Sequence, residues 1–415
     1  MKLAKSLFLG SVAGLAAVAG AQAADLPAKK AAAVEYVRVC STYGAGFFYI
    51  PGTETCLRVG GRVRAEFRYL EPQTRLDDSI GFRARGRIQL DARTATAYGL
   101  LRTFVRFEIT RDTGSYGFST STPNVDQAFI QFGGLTAGRV VSMFDNADLP
   151  TGHMGTLRFS DAPNVNLFAY TFSFGNGFSA TISAEEGRFA GTNFGTTPFF
   201  TEAGQTAPDL VGNLKYAGTW GGVQLSGALH QIRSADLVPV GLGLFDYPDA
   251  ELGWAIYGSG YVNLPMLGAG DALWIAATYA DGALGYLGAG SNVTVGQVRG
   301  FLTDAYIGVN GDIETGAGWS VAGGLRHYWT PTIRQNVFGS YARVEYPNTP
   351  PAGFVGPFDL DFNEWRLGTN VFWSPVSGLD IGVEVLYANI DTSAPEPIGV
   401  NNNIWEGRLR VQRDF

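Results

Sequence analysis

Apolar and polar residues alternate along most of this chain with the period of an extended strand. Over residues 57–70, Leu57, Val59, Val63, Ala65, Phe67 and Tyr69 share one face, while Arg58, Arg62, Arg64, Glu66 and Arg68 share the other. Residues 80–93 repeat the pattern, with Arg83, Arg85, Arg87, Gln89, Asp91 and Arg93 on the polar side. Residues 101–110 place Arg102, Arg106 and Glu108 opposite Leu101, Val105, Phe107 and Ile109. These runs exceed the usual strand of about five or six residues. They match the roughly nine to eleven tilted residues that cross a bilayer.

Further strands are predicted over 125–132, 135–142, 165–173, 178–186, 210–217, 223–231, 251–262, 272–280, 301–309, 319–329, 336–346, 362–373, 379–390 and 404–415. Short connections such as Gly133-Gly134 and Gly175-Asn176-Gly177 alternate with long ones over 71–79, 112–124, 143–164, 187–209 and 232–250. That alternation describes an all-β, transmembrane antiparallel β-barrel with short turns at one rim and long loops at the other. Seventeen strands are too many by one, because single-chain bacterial barrels carry an even number. The alternation loses phase between 281 and 361, so the surplus is placed there and sixteen strands are expected, or eighteen if 36–40 also pairs. The chain ends inside an alternating strand, with Leu409, Val411 and Phe415 on one face. A last strand that must pair with the first explains why it does not fray, and makes Phe415 the barrel-closing terminus.

The beginning of the chain changes the compartment. Lys2 and Lys5 precede the charge-poor run 7–19, and Ala21-Gln22-Ala23 supplies small residues for cleavage, so 1–23 reads as a signal peptide, with an uncleaved anchor as the alternative. Removing it leaves 392 residues, 24–415, and the loss of two lysines moves the formal charge from −7 to −9. With 56 glycines, 13% aromatic residues and apolar positions throughout, this is not a disordered chain. The uncharged run 252–270 contains Gly253, Gly258, Gly260, Pro265 and Gly268, and reads as strand, turn and strand rather than a membrane helix. Cys40 and Cys56, the two cysteines, are 16 positions apart in an exported chain and read as a disulfide worth roughly 3 kcal/mol on a chain-entropy model. Metal ligation is the alternative, although no His or third Cys lies nearby to complete a shell.

The stretch 34–64, "VEYVRVCSTYGAGFFYIPGTETCLRVGGRVR", resembles the N-terminal signature of the alphaproteobacterial porins, the major outer-membrane porins of the rhizobia and Brucella type. It contains both cysteines, which close the segment 34–56, and the first strand. Phe415 is similar to the aromatic end by which outer-membrane proteins are recognised for barrel insertion. The resemblance implies a Gram-negative outer-membrane location in contact with lipid and a homotrimer of sixteen-stranded general-diffusion channels for ions and small hydrophilic solutes. It also implies a loop after the fifth strand folded inward as a constriction. Here that loop is 143–164, carrying Asp145, Asp148 and Asp161 with His153 and Arg158.

Adjacent strands lie about 4.8 Å apart, so Arg58, Arg62, Arg64, Arg68, Arg83, Arg85, Arg87, Arg102 and Arg106 form one basic wall. With the loop aspartates opposite, solutes cross a transverse field. Unit charges about 10 Å apart interact by roughly 0.4 kcal/mol in water, or about 1.7 at an effective dielectric constant near 20. Such energies give a preference between ions, not exclusion, and its sign is open: the wall favours anions, the net charge cations. The plainer reading pairs the arginines with Glu66, Asp91 and Glu108. No catalytic group, cofactor or metal is implied: His153, His230 and His327 are far apart and outside any nucleophile motif. The glycines of 285–290 lack a phosphate-loop lysine, and an inward arginine wall is closed to nucleic acid. A substrate-specific channel is the alternative function, and a secreted β-sandwich adhesin the competitor outside channels.

Overall fold

The computed structural model describes residues 38–117, 123–191, 193–194, 197–198, 200–241, 244–289, 293–351, 359–393 and 400–415. The leader expected over 1–23 lies outside the described residues, as does the signature before Arg38. Sixteen long antiparallel strands close into one barrel: β1 (Cys56–Leu70), β2 (Ile80–Thr96), β3 (Gly99–Gly114), β4 (Asn124–Phe132), β5 (Leu135–Val141), β6 (Asn164–Gly175), β7 (Phe178–Glu185) and β8 (Asp209–Gly218), followed by β9 (Gly221–Ile232), β10 (Glu251–Asn263), β11 (Ala272–Asp281), β12 (Ala317–Thr330), β13 (Ile333–Glu345), β14 (Phe362–Val376), β15 (Leu379–Thr392) and β16 (Asn403–Asp414). Each pairs with its sequence neighbour, and β16 returns to β1 in a register running from Arg62 opposite Asp414 to Leu70 opposite Glu406.

Closure leaves no unpaired edge, the condition for strands in hydrocarbon. The period-two pattern then sorts the side chains. Val63, Phe82, Ile88, Phe168, Leu225, Leu273 and Val383 point outward and are exposed, as a lipid-facing surface requires. Tight turns hold one rim; between β6 and β7, Asn176 and Gly177 both have positive φ, 51° and 87°, the geometry that matches strand twist in a two-residue hairpin.

The expected surplus strand is 301–309. It is not part of the wall; it belongs to a loop over 282–316, here called L6, folded into the barrel. Its alternation misleads because both of its faces are buried in protein: Leu302, Thr303, Asp304, Ala305 and Tyr306 are each almost fully enclosed. The described part of 36–40 adds no wall strand, only an isolated bridge from Val39 to Phe48. Cys40 and Cys56 form the disulfide, with Cα atoms 6.0 Å apart, tying the N-terminal segment to the start of β1.

Candidate pore constriction

The loop after β5, residues 142–163 and here called L3, turns inward because a chain of buried polar contacts draws it along the inner wall. Glu185 at the end of β7 accepts from Ser142 Oγ at 2.6 Å and Met143 N at 2.9 Å. Asn213 on β8 donates to the Met143 carbonyl at 2.6 Å, Gln224 on β9 to that of Phe144 at 3.2 Å, and Asn146 donates to Ser259 on β10 at 3.1 Å. The tip then reaches the far side of the barrel. Met154 N donates to Glu384 at 2.8 Å, and its carbonyl accepts from Arg408 at 2.7 Å and Arg410 at 2.9 Å. Thr156 donates to Glu384 at 2.6 Å and accepts from Arg366 at 2.9 Å, while Arg158 pairs with Glu364 at 2.8 Å.

L6 lies against L3 from the loop side. Phe159 N donates to the Gly288 carbonyl at 2.8 Å. Phe144, Leu157 and Phe159 of L3 share one apolar cluster with Leu284, Tyr286, Leu287 and Leu302 of L6. The wall beneath is small where these loops press on it, with Ala228, Ala255, Ala276, Ala280 and Ala322 facing inward. One half of the barrel interior is therefore packed like a protein core. The arc β1–β4, four of the sixteen strands, keeps its polar face toward the lumen.

On that face the arginines hold carboxylates of adjacent strands. Arg62 bonds Asp414 at 2.5 Å, Arg83 Asp112 at 2.7 Å, Arg87 Glu108 at 2.6 Å, Arg102 Asp91 at 2.9 Å and Arg106 Asp126 at 3.3 Å. Arg68 pairs with Glu406 at 3.1 Å. Arg64 and Arg85 instead bond Gln412 and Thr110, at 2.9 and 3.0 Å. Tyr116, from the loop after β3, lays its ring over Arg83, Arg68 and Arg408, 4.3, 5.3 and 5.6 Å from its centroid. Arg58 lies near Gly46 of the N-terminal segment.

The three loop aspartates go to different places. Asp145 is buried against Arg188 at 2.8 Å, and burial pushes its carboxyl up to about 6 against the pull of that guanidinium. Asp148 is half-exposed and pairs with Lys215 at 2.7 Å. Asp161 is exposed beside Ala162, and both line a cavity of about 210 Å³ behind the loop. His153 accepts from Gly155 N at its Nδ1, 3.0 Å away, which puts the proton of a neutral ring on Nε2, 3.2 Å from Ser160 Oγ. That tautomer cannot take a proton from the serine. Burial, then Arg408 and Arg410, push His153 down to about 4. His230 and His327 lie elsewhere, against Asp209 at 2.8 Å and Asp271 at 2.5 Å.

Sequence reasoning missed the residues that hold the loop in place: Glu185, Arg188, Glu364, Arg366, Glu384, Arg408 and Arg410. Apart from Arg188, which lies in the loop after β7, their inward position could be read from strand alternation, but the partners, up to 256 positions away for Arg410 and Met154, could not. A family model described as a porin subfamily matches residues 25–407. Porin Omp2b of Brucella canis is 32% identical over 427 aligned positions, and that of Brucella suis 31% over 439, each match covering 99% of both chains. Among solved structures, the outer-membrane channel DcaP of Acinetobacter baumannii superposes with a TM-score of 0.64 at 14% identity, over 88% of this chain and 99% of that one. OmpT of Vibrio cholerae in its trimer form gives 0.52 at 10% identity, over 88% and 100%. At these identities the structural likeness establishes the barrel fold.

Proposed function

The chain belongs to the porin family and forms an outer-membrane channel, and from that premise we propose how the channel sorts what passes. Ions and small hydrophilic solutes diffuse through the water-filled gap between L3 and the β1–β4 wall, filtered by size and only weakly by charge. The observation that carries this is the local pairing of the wall. Six of its arginines have a carboxylate within 3.3 Å on a neighbouring strand, so most of the wall charge is cancelled where it arises. Most of these side chains are largely buried, and the cost of desolvating such pairs offsets much of their attraction; their role is to hold guanidiniums erect along the path. Asp148, paired with Lys215, and Asp161, lining the cavity behind L3, add little field across the gap, and Asp145 stiffens the base of L3 through Arg188.

The outer surface favours a homotrimer. On β10–β16 an alternating belt of Trp254, Tyr279, Trp319, Tyr341, Trp365, Tyr387 and Trp405 marks a lipid interface, with ring centroids 5.0–5.3 Å apart in the pairs measured. The outer face of β3–β7 carries Arg111 instead, and Arg139 bound to Glu186 at 3.0 Å, which also accepts from Asn166 at 2.6 Å. Strand β5 has seven residues, too few for a tilted strand to cover an apolar band of about 25 Å. A neighbouring subunit would cover that arc. The leader over 1–23 would direct export, and the β16 terminus would engage the insertion machinery. Catalysis is assigned no residue, since the one serine–histidine contact in L3 has the wrong tautomer.

Single-channel recording from detergent-purified protein in a planar bilayer tests this directly. Openings grouped in threes and a small reversal potential under a salt gradient are expected. A potential near the limit for one ion would sink the weak-selectivity reading, and silence from a folded barrel would sink the channel. The depth of L6 in the lumen favours a second reading, a channel narrowed for one solute. Liposome swelling separates the two, because a general porin admits solutes in order of size alone.

A further inference from the structure

The inward side chains of β16, β1, β2 and β3 stand in rows across the wall. One row holds Arg410, Glu66, Arg83 and Asp112, and another Asp414, Arg62, Arg87 and Glu108. Each contains two cations and two carboxylates, so each is balanced. The row between them holds Gln412, Arg64, Arg85 and Thr110. It has two cations and no carboxylate.

Arg64 and Arg85 are directly opposed across the β1–β2 pair, where like charges destabilise a sheet. Arg64 spends one donor on Gln412 and forms no ion pair among the described residues. Arg85 bonds Thr110, with Glu108 at 3.8 Å as its only carboxylate within ion-pair distance among the described residues. Arg410, Arg62 and Arg85 act on Arg64 as like charges, offset only in part by Glu66 in the neighbouring row. Asp380, which faces Gln412 across β15 and β16, is held by Arg334 at 2.7 Å. The row lies one inward position, about 7 Å of strand, to the turn side of Arg410, which holds the tip of L3. It therefore lines the path just past the constriction.

We propose that Arg64 and Arg85 form a binding step for small oxyanions, of the phosphate or carboxylate class, inside the pore. Two guanidiniums with unspent donors match a tetrahedral or planar oxyanion, and the neutral Gln412 and Thr110 fix their orientation without cancelling their charge. This inference rests on the channel reading and names the solute class the wall retains. Selectivity then comes from occupancy of one row and not from the field of the whole pore.

The test is the single-channel current in potassium chloride with inorganic phosphate added stepwise. A saturable fall in current, roughly twofold at saturation in dilute chloride, is expected, weakening as salt rises. The double variant Arg64→Gln/Arg85→Gln should lose the fall. Gln412→Glu, which keeps both arginines but puts a carboxylate into the row, should lose it too. The chloride current of each variant reports whether its barrel is folded and open. Phosphate sensitivity retained in both variants, or absent from the parent protein, overturns the proposal. Phosphorus NMR line broadening with detergent-solubilised protein reads the same site without a current. A protein that broadens the line but does not conduct contradicts the channel reading alone.

Discussion

A carboxyl sealed from water stays in place only while its neighbours share its charge. Asp304 of L6 is fully buried, accepts from Ala190 N at 2.5 Å and from Leu284 N and Gly285 N, and lies 4.0 Å from His230 Nε2. Burial pushes it up to about 7 from its ordinary 3.8, opposed by His230 and the three amides. Its folded pKa lies above the unfolded one, so the stability it contributes is complete in acid and is lost as pH rises through about 7. Asp145 behaves alike through about 6, and His153, depressed to about 4 from 6.5, runs the other way. Asp304→Asn should therefore gain in melting temperature relative to the parent on going from about pH 5 to about pH 8; thermal denaturation in detergent at both values checks it, and no pH-dependent difference would refute the assignment. The arginines of the wall were legible because each occupies an alternate position. Their neutrality was legible only in part: Glu66, Asp91 and Glu108 stand in the same strands, but Asp414 and Glu406 meet the wall only when the barrel closes. Asp145 looked like an eyelet residue because nothing in its surroundings reveals Arg188, 43 positions on.

Strands announce themselves by period two, and all sixteen wall strands lie within a few residues of the predicted spans. The error at 301–309 has a physical origin: a segment enclosed in protein on both sides needs no polar face, so Leu302 and Tyr306 could occupy the positions where a wall strand would carry lumen polarity. L6 fastens L3 by packing as much as by hydrogen bonds. Leu287 is almost fully buried between them and the wall, and Leu287→Ala should cost about 2–5 kcal/mol of local packing, seen as increased current noise with the mean conductance little changed. Excising 284–315 and bridging the ends with a short Gly-Ser link should raise the conductance, because that half of the lumen would fill with water. Unchanged conductance in the shortened protein would mean that L6 stands clear of the path.

The barrel as a whole is one closed ring, sealed where β16 meets β1. Phe415 exchanges two backbone hydrogen bonds with Gly61, at 2.9 and 3.0 Å, and its ring packs on that glycine. A methyl group at Gly61 would collide with the ring and come within 2.7 Å of the Arg87 carbonyl. Gly61→Ala and removal of Phe415 are both expected to reduce the yield of folded barrel, measured as the heat-modifiable fraction on electrophoresis, more than Gly86→Ala, whose added atom meets only a flexible Ile109 methyl at 3.6 Å. The terminal strand was readable because it stopped in mid-pattern; the lopsided interior was not, since packing between L3, L6 and the wall depends on contacts far apart in the chain. That lopsidedness places the water path against β1–β4, beside the arc assigned to subunit contact. In the proposed trimer three conduits then crowd toward the symmetry axis and draw from overlapping hemispheres of solution. Their access resistances are shared, so the last of the three pores to close should carry the largest step in current.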